Sequence, residues 1–414
     1  MPQLKQTDQT ASFQVAATAG DARAGTLTVN GQSLDTPTFF PVLSFYGGGT
    51  KSSVFGGGVH RTIKEFMLGK EEIGGGTYDE YFRGTMTSVA SLTDYGINRE
   101  RFDDYVSDQI KERETFSDYN GLIFVDSGGY KFLHNDGLDG SDFEIEIDQR
   151  EAFRIQKQLG GDIIVNLDRP IAPSDTFDER QQKAERTAEN AVEFARLTQD
   201  YPGARYLTVH GYNYSMLDRF FDHVQSQFGN IDISTLFDGI ALGSLVPKKD
   251  DKAALITAVM DCVEIMEERG LADLPLHVLG IGSGSIPLLV AAGADTFDST
   301  TYLLNAINEK YAVGLTEHIP LDEVDFTQCD CAVCSDPMLV NWMQGNTEYQ
   351  KDVLGPVAMH NLIIHRQEVQ ELRQRIKQHG TEPVIDYLDE TVGRNDSIRK
   401  QTHRVVNEAL GGYF

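Results

Sequence analysis

Short apolar runs that end in small or charged residues recur along the chain, with helical stretches between them. They are Leu122-Ile123-Phe124-Val125 ending at Asp126, Ile163-Ile164-Val165-Asn166-Leu167 ending at Asp168, and Tyr206-Leu207-Thr208-Val209 ending at His210. Gly239-Ile240-Ala241-Leu242 ending at Gly243-Ser244, Leu276 to Leu279, and Thr296-Phe297 ending at Asp298 follow. Continuous runs, unlike alternating ones, mark strands buried on both faces, and strands alternating with helices mark a parallel sheet. Gln181 to Thr198 reads as an amphipathic helix with Ala184, Ala188, Ala191, Val192, Phe194 and Ala195 inward. Thr38-Phe39-Phe40-Pro41-Val42-Leu43 is a further buried-type run and the candidate first strand. An α/β (β/α)8 TIM barrel, with its remaining strand hidden in a glycine-rich section downstream, completes this pattern; a doubly wound sheet is the other architecture it allows.

The flanking segments have a different rhythm. Phe13-Gln14-Val15-Ala16 and Ala24-Gly25-Thr26-Leu27-Thr28-Val29 flank turn residues and predict a hairpin. Gly280 to Tyr302 reads as a Gly-rich turn, a short apolar helix over Ile286 to Ala292, and a strand ending on Phe297-Asp298-Ser299-Thr300. After His360 a helix is expected to about Gln378, with Leu362, Ile363, Val369, Leu372 and Ile376 as its packing face. The division expected is a catalytic barrel over 1–320, a zinc-binding subdomain and helix over 321–378, and a helical tail over 379–414. That tail carries Arg394, Arg399, Lys400 and Arg404, either a basic face for phosphates or plain solvated surface.

Gly47-Gly48-Gly49, Gly56-Gly57-Gly58 and Gly74-Gly75-Gly76 lie in the section from 46 to 120. Such triplets permit close backbone approach, so the section is either a loop over substrate or a flexible insertion. None is a phosphate-binding fingerprint in its strand–helix context.

Composition narrows the class. The 414 residues are 40% apolar, enough for a large core. Acidic residues outnumber basic ones 63 to 36, giving a net charge of −27 without a long acidic run. A dispersed acidic surface suits a halophilic protein kept soluble in concentrated salt. It opposes electrostatic capture of nucleic acid at low ionic strength, but in molar salt the screening length falls to about 3 Å and that opposition weakens. The polar start, Met1 to Thr10, has no signal-peptide core, and no apolar run reaches the length of a membrane helix. A cytoplasmic protein without membrane contact is expected.

Two constellations carry chemistry. Cys329, Cys331 and Cys334 followed by His360 offer three thiolates and an imidazole, the donor set of a closed structural zinc site. Cys262 sits in an apolar helix and reads as core. The second constellation is a pair of carboxylates on different strand ends, Asp126 and Asp298, with Asp168 in a similar place. Two carboxylates across a glycosidic bond can divide nucleophile and acid/base roles. Each is also a plausible helix N-cap.

These residues fall in a familiar order. Asp126-Ser127-Gly128-Gly129-Tyr130, the Asp168 after Asn166-Leu167, the stretch Gly239 to Pro247, Phe297-Asp298-Ser299-Thr300, Cys329 to Cys334 and Met359-His360-Asn361-Leu362 together resemble the tRNA-guanine transglycosylase family. The resemblance spans about 120 to 378 and is strongest to the archaeal branch. It implies replacement of a guanine in nucleic acid by a 7-deazaguanine through a covalent intermediate. Asp298 is then the nucleophile at C1′ and Asp126 the general acid/base. Ser127, Asp168, His210, Gly211, Gly243, Ser244 and Leu245 would bind the base. Cys329, Cys331, Cys334 and His360 would hold Zn2+, and a homodimer is implied. Reaching the target base requires flipping its nucleotide out.

The chain departs from the family where the bacterial enzymes carry Gln before Gly, having His210-Gly211, and where Gly-Gly is usual, having Gly243-Ser244. The glycine triplets and the lack of the archaeal carboxyl-terminal RNA-binding domains point to DNA as substrate; tRNA is the alternative. A non-catalytic partner subunit ranks third, because both Asp126 and Asp298 are present.

Overall fold

The computed structural model describes residues 11–45, 58–69, 73, 78–89, 103–104, 106–130, 147–393 and 396–412. Eight parallel strands follow one another around a barrel: β4 (Thr38–Pro41), β5 (Gly84–Ser88), β6 (Leu122–Asp126), β7 (Ile163–Val165), β8 (Ala204–His210), β9 (Gly239–Gly243), β10 (Leu276–Val278) and β11 (Thr296–Ser299). Sequential neighbours pair from β5 to β11, and β11 pairs with β4. The ring closes where Val42 bridges Met86, with Leu43 N–H donating to the Met86 carbonyl at 2.8 Å. Closure excludes the doubly wound alternative. The strand hidden in the glycine-rich section is β5, whose Gly-Thr-Met-Thr-Ser has little apolar content and so gave no signal.

Helices pack outside these strands: α1 (Gly58–Met67), α2 (Gln149–Leu159), α3 (Phe177–Leu197), α4 (Tyr214–Phe228), α5 (Lys252–Glu268), α6 (Ile286–Ala291) and α7 (Thr301–Ile307). Helix α3 starts a turn before the apolar pattern does. Thr176 and Glu179 form a reciprocal capping box there, ahead of the first inward residue.

The amino-terminal hairpin is a three-stranded sheet, β1 (Ala11–Ala19), β2 (Ala22–Val29) and β3 (Gln32–Thr36). The added strand follows an Asn30-Gly31 turn with φ of 51° and 77°, which a two-residue hairpin turn requires. The sheet plugs the amino end of the barrel. Its Ala11, Leu27, Val29 and Leu34 join the inward Phe40, Met86, Phe124, Val165 and Tyr206 in one apolar cluster. Arg23 pins it, pairing with Asp295 and donating to the Ala272 carbonyl at 2.6 Å.

Beyond the barrel come a hairpin, β12 (Lys310–Ala312) with β13 (His318–Pro320), and helices α8 (Pro337–Met343), α9 (Gln350–Ile376), α10 (Glu382–Thr391) and α11 (Asp396–Glu408). Helix α9 begins ten residues before the expected start, so His360 lies in its middle and not at its head. Gly355 and Pro356 resemble a break in sequence. Here Gly355 lets α9 approach α1, since any Cβ would collide with Thr62. Helix α9 is also bolted to the barrel. Arg366 donates to Thr38 Oγ1 and the Tyr81 carbonyl, both at 2.9 Å, and Arg373 donates to the Pro37 carbonyl at 2.7 Å.

The glycine triplets lie outside the described residues, apart from Gly58 at the start of α1.

Candidate active site

The parallel strands bring their carboxyl ends to one rim, and the sequence's candidate residues gather there. Asp126 ends β6, His210 ends β8, Gly243 ends β9, Asp298 lies in β11, and Asp168 stands just beyond β7.

Asp126 is held by its own turn. Gly128, at φ 86°, folds back so that its N–H donates to Asp126 Oδ2 at 2.9 Å, and Ser88 Oγ donates to the same oxygen at 2.9 Å. Burial, chiefly, and then the nearby Asp168 carboxylate push the Asp126 carboxyl up to about 7; Asp298 adds to the rise, and the Gly128 and Ser88 donors oppose it. An acid in this range can give and take a proton near neutrality.

Asp168 is presented by a tightly bonded loop. Leu167 N–H donates to Gln149 Oε1 at 2.7 Å, and Asn190 Nδ2 donates to the Leu167 carbonyl at 2.8 Å. The buried Ser127 hydroxyl donates to Asp168 Oδ1 at 3.0 Å. His210 Nε2 lies 3.1 Å from Asp168 Oδ2, off the line of a hydrogen bond. The other ring nitrogen, Nδ1, is 2.7 Å from Ser244 Oγ, which also accepts the Ile171 N–H at 2.8 Å. Ser244 adopts φ 65°, a left-handed conformation unusual for a residue with a side chain. Gly243 must lack a side chain, because a Cβ would sit 2.8 Å from the His210 ring. Gly211 likewise packs against Leu217. Leu245 is fully buried among strand- and helix-facing apolar residues.

Asp298 Oδ1 accepts two N–H groups, from Gly280 at 2.7 Å and from His277 Nε2 at 3.1 Å. His277 and Gly280 read in sequence only as strand and turn, and Ser88 lies in the glycine-rich section that gives no strand signal. The missed signal was a histidine inside an apolar strand, beside a next strand carrying polar Thr296 and Asp298 two residues apart. Tyr130, 46% exposed, stands four residues beyond Asp126.

Apart from this rim, Cys329, Cys331, Cys334 and His360 bring one ligand atom each within 4.8 Å of one another and could hold a metal ion. His360 Nδ1 lies 3.3, 3.6 and 3.9 Å from the sulfurs of Cys331, Cys334 and Cys329. Its Nε2–H donates to the Ala312 carbonyl at 2.8 Å, which turns the Nδ1 lone pair toward the sulfurs. Tyr311 stacks on the imidazole with ring centroids 3.7 Å apart. Asn361 accepts the Ala312 N–H at 2.8 Å, so α9 holds the hairpin from both residues.

A family model described as queuine tRNA-ribosyltransferase matches residues 18–390. A tRNA-guanine(15) transglycosylase from Thermococcus onnurineus is 28% identical over 378 residues, covering 90% of this chain and 56% of the relative. One from Pyrococcus furiosus is 25% identical over 383 residues, covering 92% and 56%. One from Sulfolobus acidocaldarius is 25% identical over 391 residues, covering 93% and 67%. The chain thus spans just over half the length of the first two relatives. With a matching model over most of its length and a closed barrel carrying the expected rim residues, the chain belongs to the queuine tRNA-ribosyltransferase family.

Proposed function

We propose that this chain is a guanine transglycosylase acting on tRNA, a pentosyltransferase that exchanges a guanine base for a 7-deazaguanine. The observation that carries it is the contrast between two rim aspartates. Asp126 is pushed to about 7, whereas Asp298 is met by two N–H donors on one oxygen. One suits a proton donor and acceptor, the other a nucleophile.

In this reading Asp298 attacks C1′ of a flipped-out guanosine. The C1′–N9 bond breaks, its electrons go to the departing guanine, and Asp126 supplies the proton. The incoming base then returns a proton to Asp126 as its ring nitrogen displaces Asp298 from C1′. Asp168, Ser127, His210, Gly211, Gly243, Ser244 and Leu245 form the base pocket, with Asp168 facing the amino edge of the purine.

The names of the relatives support tRNA over the DNA substrate expected from the sequence. That expectation rested partly on the glycine triplets, which lie mostly outside the described residues.

Zinc is the metal that best suits the Cys3His cluster. A tetrahedral site with bonds of about 2.3 Å to sulfur and about 2.0 Å to nitrogen has nitrogen–sulfur edges of about 3.5 Å, and the three separations of His360 Nδ1 from the cysteine sulfurs, 3.3 to 3.9 Å, fit that scale. Cys329, Cys331, Cys334 and His360 would hold the ion with four protein donors, and its role would be architectural, joining α9 to the Cys329–Cys334 loop. A homodimer belongs to this reading; four exposed apolar side chains, Ile307, Val313, Met338 and Tyr349, lie in the part of the sequence that flanks the cysteines. No helix among the described residues is long and apolar enough to cross a membrane.

Exchange of labelled guanine, with tRNA and double-stranded DNA offered in parallel at low and high KCl, tests the reading. Label in tRNA alone is expected. Label in DNA alone would reverse the choice of substrate, and label in neither would favour a non-catalytic subunit.

A further inference from the structure

The described contacts of Asp298 lead to a residue with no role so far. His277 lies in β10 directly opposite Thr296 of β11, and its side chain is wholly buried. Its ring faces the barrel interior, with centroids 4.7 Å from Phe124 and 6.0 Å from Phe40. Thr296 and Asp298, two residues apart on one strand, share that inward face. The imidazole spans them. Nδ1 is 2.8 Å from Thr296 Oγ1 and Nε2 is 3.1 Å from Asp298 Oδ1.

This chain has a defined direction. A neutral imidazole carries one N–H. Were it on Nδ1, the Nε2 lone pair would face a carboxylate lone pair inside an apolar shell. With the Thr296 hydroxyl donating to Nδ1, the proton sits on Nε2 and points at Oδ1. The Gly280 N–H meets the same oxygen at 2.7 Å. Two donors on Oδ1 leave Oδ2 as the oxygen that bonds to carbon.

We infer that His277, with its proton placed by Thr296, is a positioning residue that fixes the Asp298 carboxylate for attack through Oδ2 and stabilises it as it leaves. The inference rests on the transglycosylase reading above. In the first half-reaction the Oδ2–C1′ bond forms as C1′–N9 breaks. In the second, Oδ2–C1′ breaks, its electron pair returns to the carboxylate, and the incoming base bonds to C1′ while its proton passes to Asp126. Charge reappears on the carboxylate only in this second step. A donor aimed at Oδ1 therefore favours release of the intermediate more than its formation.

The test is the lifetime of the covalent adduct after incoming base is added, in wild type, His277→Phe, His277→Gln and Thr296→Val. Phenylalanine keeps the ring packing and removes the donor; glutamine supplies an N–H near the place of Nε2. His277→Phe should slow adduct decay at least about tenfold, by analogy with the loss of an oxyanion-hole donor, with KM for tRNA little changed. His277→Gln should recover most of that rate, and Thr296→Val should fall between. A merely structural role would lower the melting temperature of these variants without this ordering of decay rates. Wild-type decay in His277→Phe overturns the inference; if that variant does not fold, wild-type decay in Thr296→Val does so. Failure of the wild type to form any adduct is a separate result, which removes the transglycosylase reading and this inference with it.

Discussion

Ser244 Oγ lies 2.7 Å from His210 Nδ1 at the barrel rim. The two side chains form one unit. Ser244 Oγ accepts the Ile171 N–H and keeps its own hydrogen to offer to Nδ1; the tautomer that takes it carries the His210 proton on Nε2, 3.1 Å from Asp168 Oδ2. Ser244→Ala should raise KM for guanine about fivefold, the loss of roughly 1 kcal/mol expected for one hydrogen bond. Ser244→Gly should regain melting temperature, since glycine suits φ 65°, yet keep the raised KM. Unchanged guanine binding in both variants would show that the pair does not shape the pocket.

Asp126 makes stability depend on pH. Its carboxyl is raised from 3.8 to about 7 in the folded chain. The folded state therefore keeps a proton that the unfolded state releases first. The resulting penalty is absent below the unfolded value, grows as pH rises, and is complete above about 7. Asp126→Asn removes it, so the melting temperature of the variant relative to wild type should be more favourable at pH 8 than at pH 4. An equal difference at both pH values would mean that Asp126 is not raised. In the wild type, adduct formation should decline above about pH 7 as the acid is lost.

Asp298→Asn should abolish the covalent adduct on a denaturing gel while leaving the melting temperature within a few degrees of wild type. Persistence of the adduct would assign the nucleophile elsewhere.

Gly129 is the turn residue against which Asp168 packs. A Cβ there would overlap the Asp168 carboxylate and lie 2.9 Å from its carbonyl oxygen. Gly129→Ala should displace Asp168 and reduce kcat/KM for exchange by about 100-fold, the scale of a 1 Å misplacement at a reacting centre. A crystal structure of the variant with Asp168 unmoved would contradict this.

Metal analysis should find about one zinc per chain, with Cys331→Ser lowering both the content and the melting temperature. A fully stable, metal-free protein would remove the zinc assignment.

Most of the barrel was legible because its strands are apolar on both faces and its rim residues follow them directly, as with Val125 before Asp126 and Val209 before His210. Strand β5 escaped because Thr85, Thr87 and Ser88 break the apolar pattern, although Thr85 and Thr87 are fully buried. The third amino-terminal strand was announced by Asn30-Gly31, a turn signal passed over beside the weakly apolar Gln32–Thr36. The start of α9 was hidden by Gly355 and Pro356, whose reason lies in Thr62, far away in sequence. The candidate site divides in the same way. Asp126, Asp168 and Asp298 carry recognisable local motifs, whereas His277 gains meaning only from the register of β10 against β11.

Helix α9 carries a metal-ligand candidate, His360, and six residues later Arg366, which grips Thr38 at the start of β4 and the backbone just before and at the start of β5. Those are the two strands that meet at the seam between Val42 and Met86. A ligand that binds only the folded cluster therefore also stabilises the ring against local opening there, by mass action through one continuous helix. Amide hydrogens at Leu43 and along β5 should then exchange with solvent faster once the metal is chelated, while those of β8 and β9, on the opposite side of the ring, keep their protection.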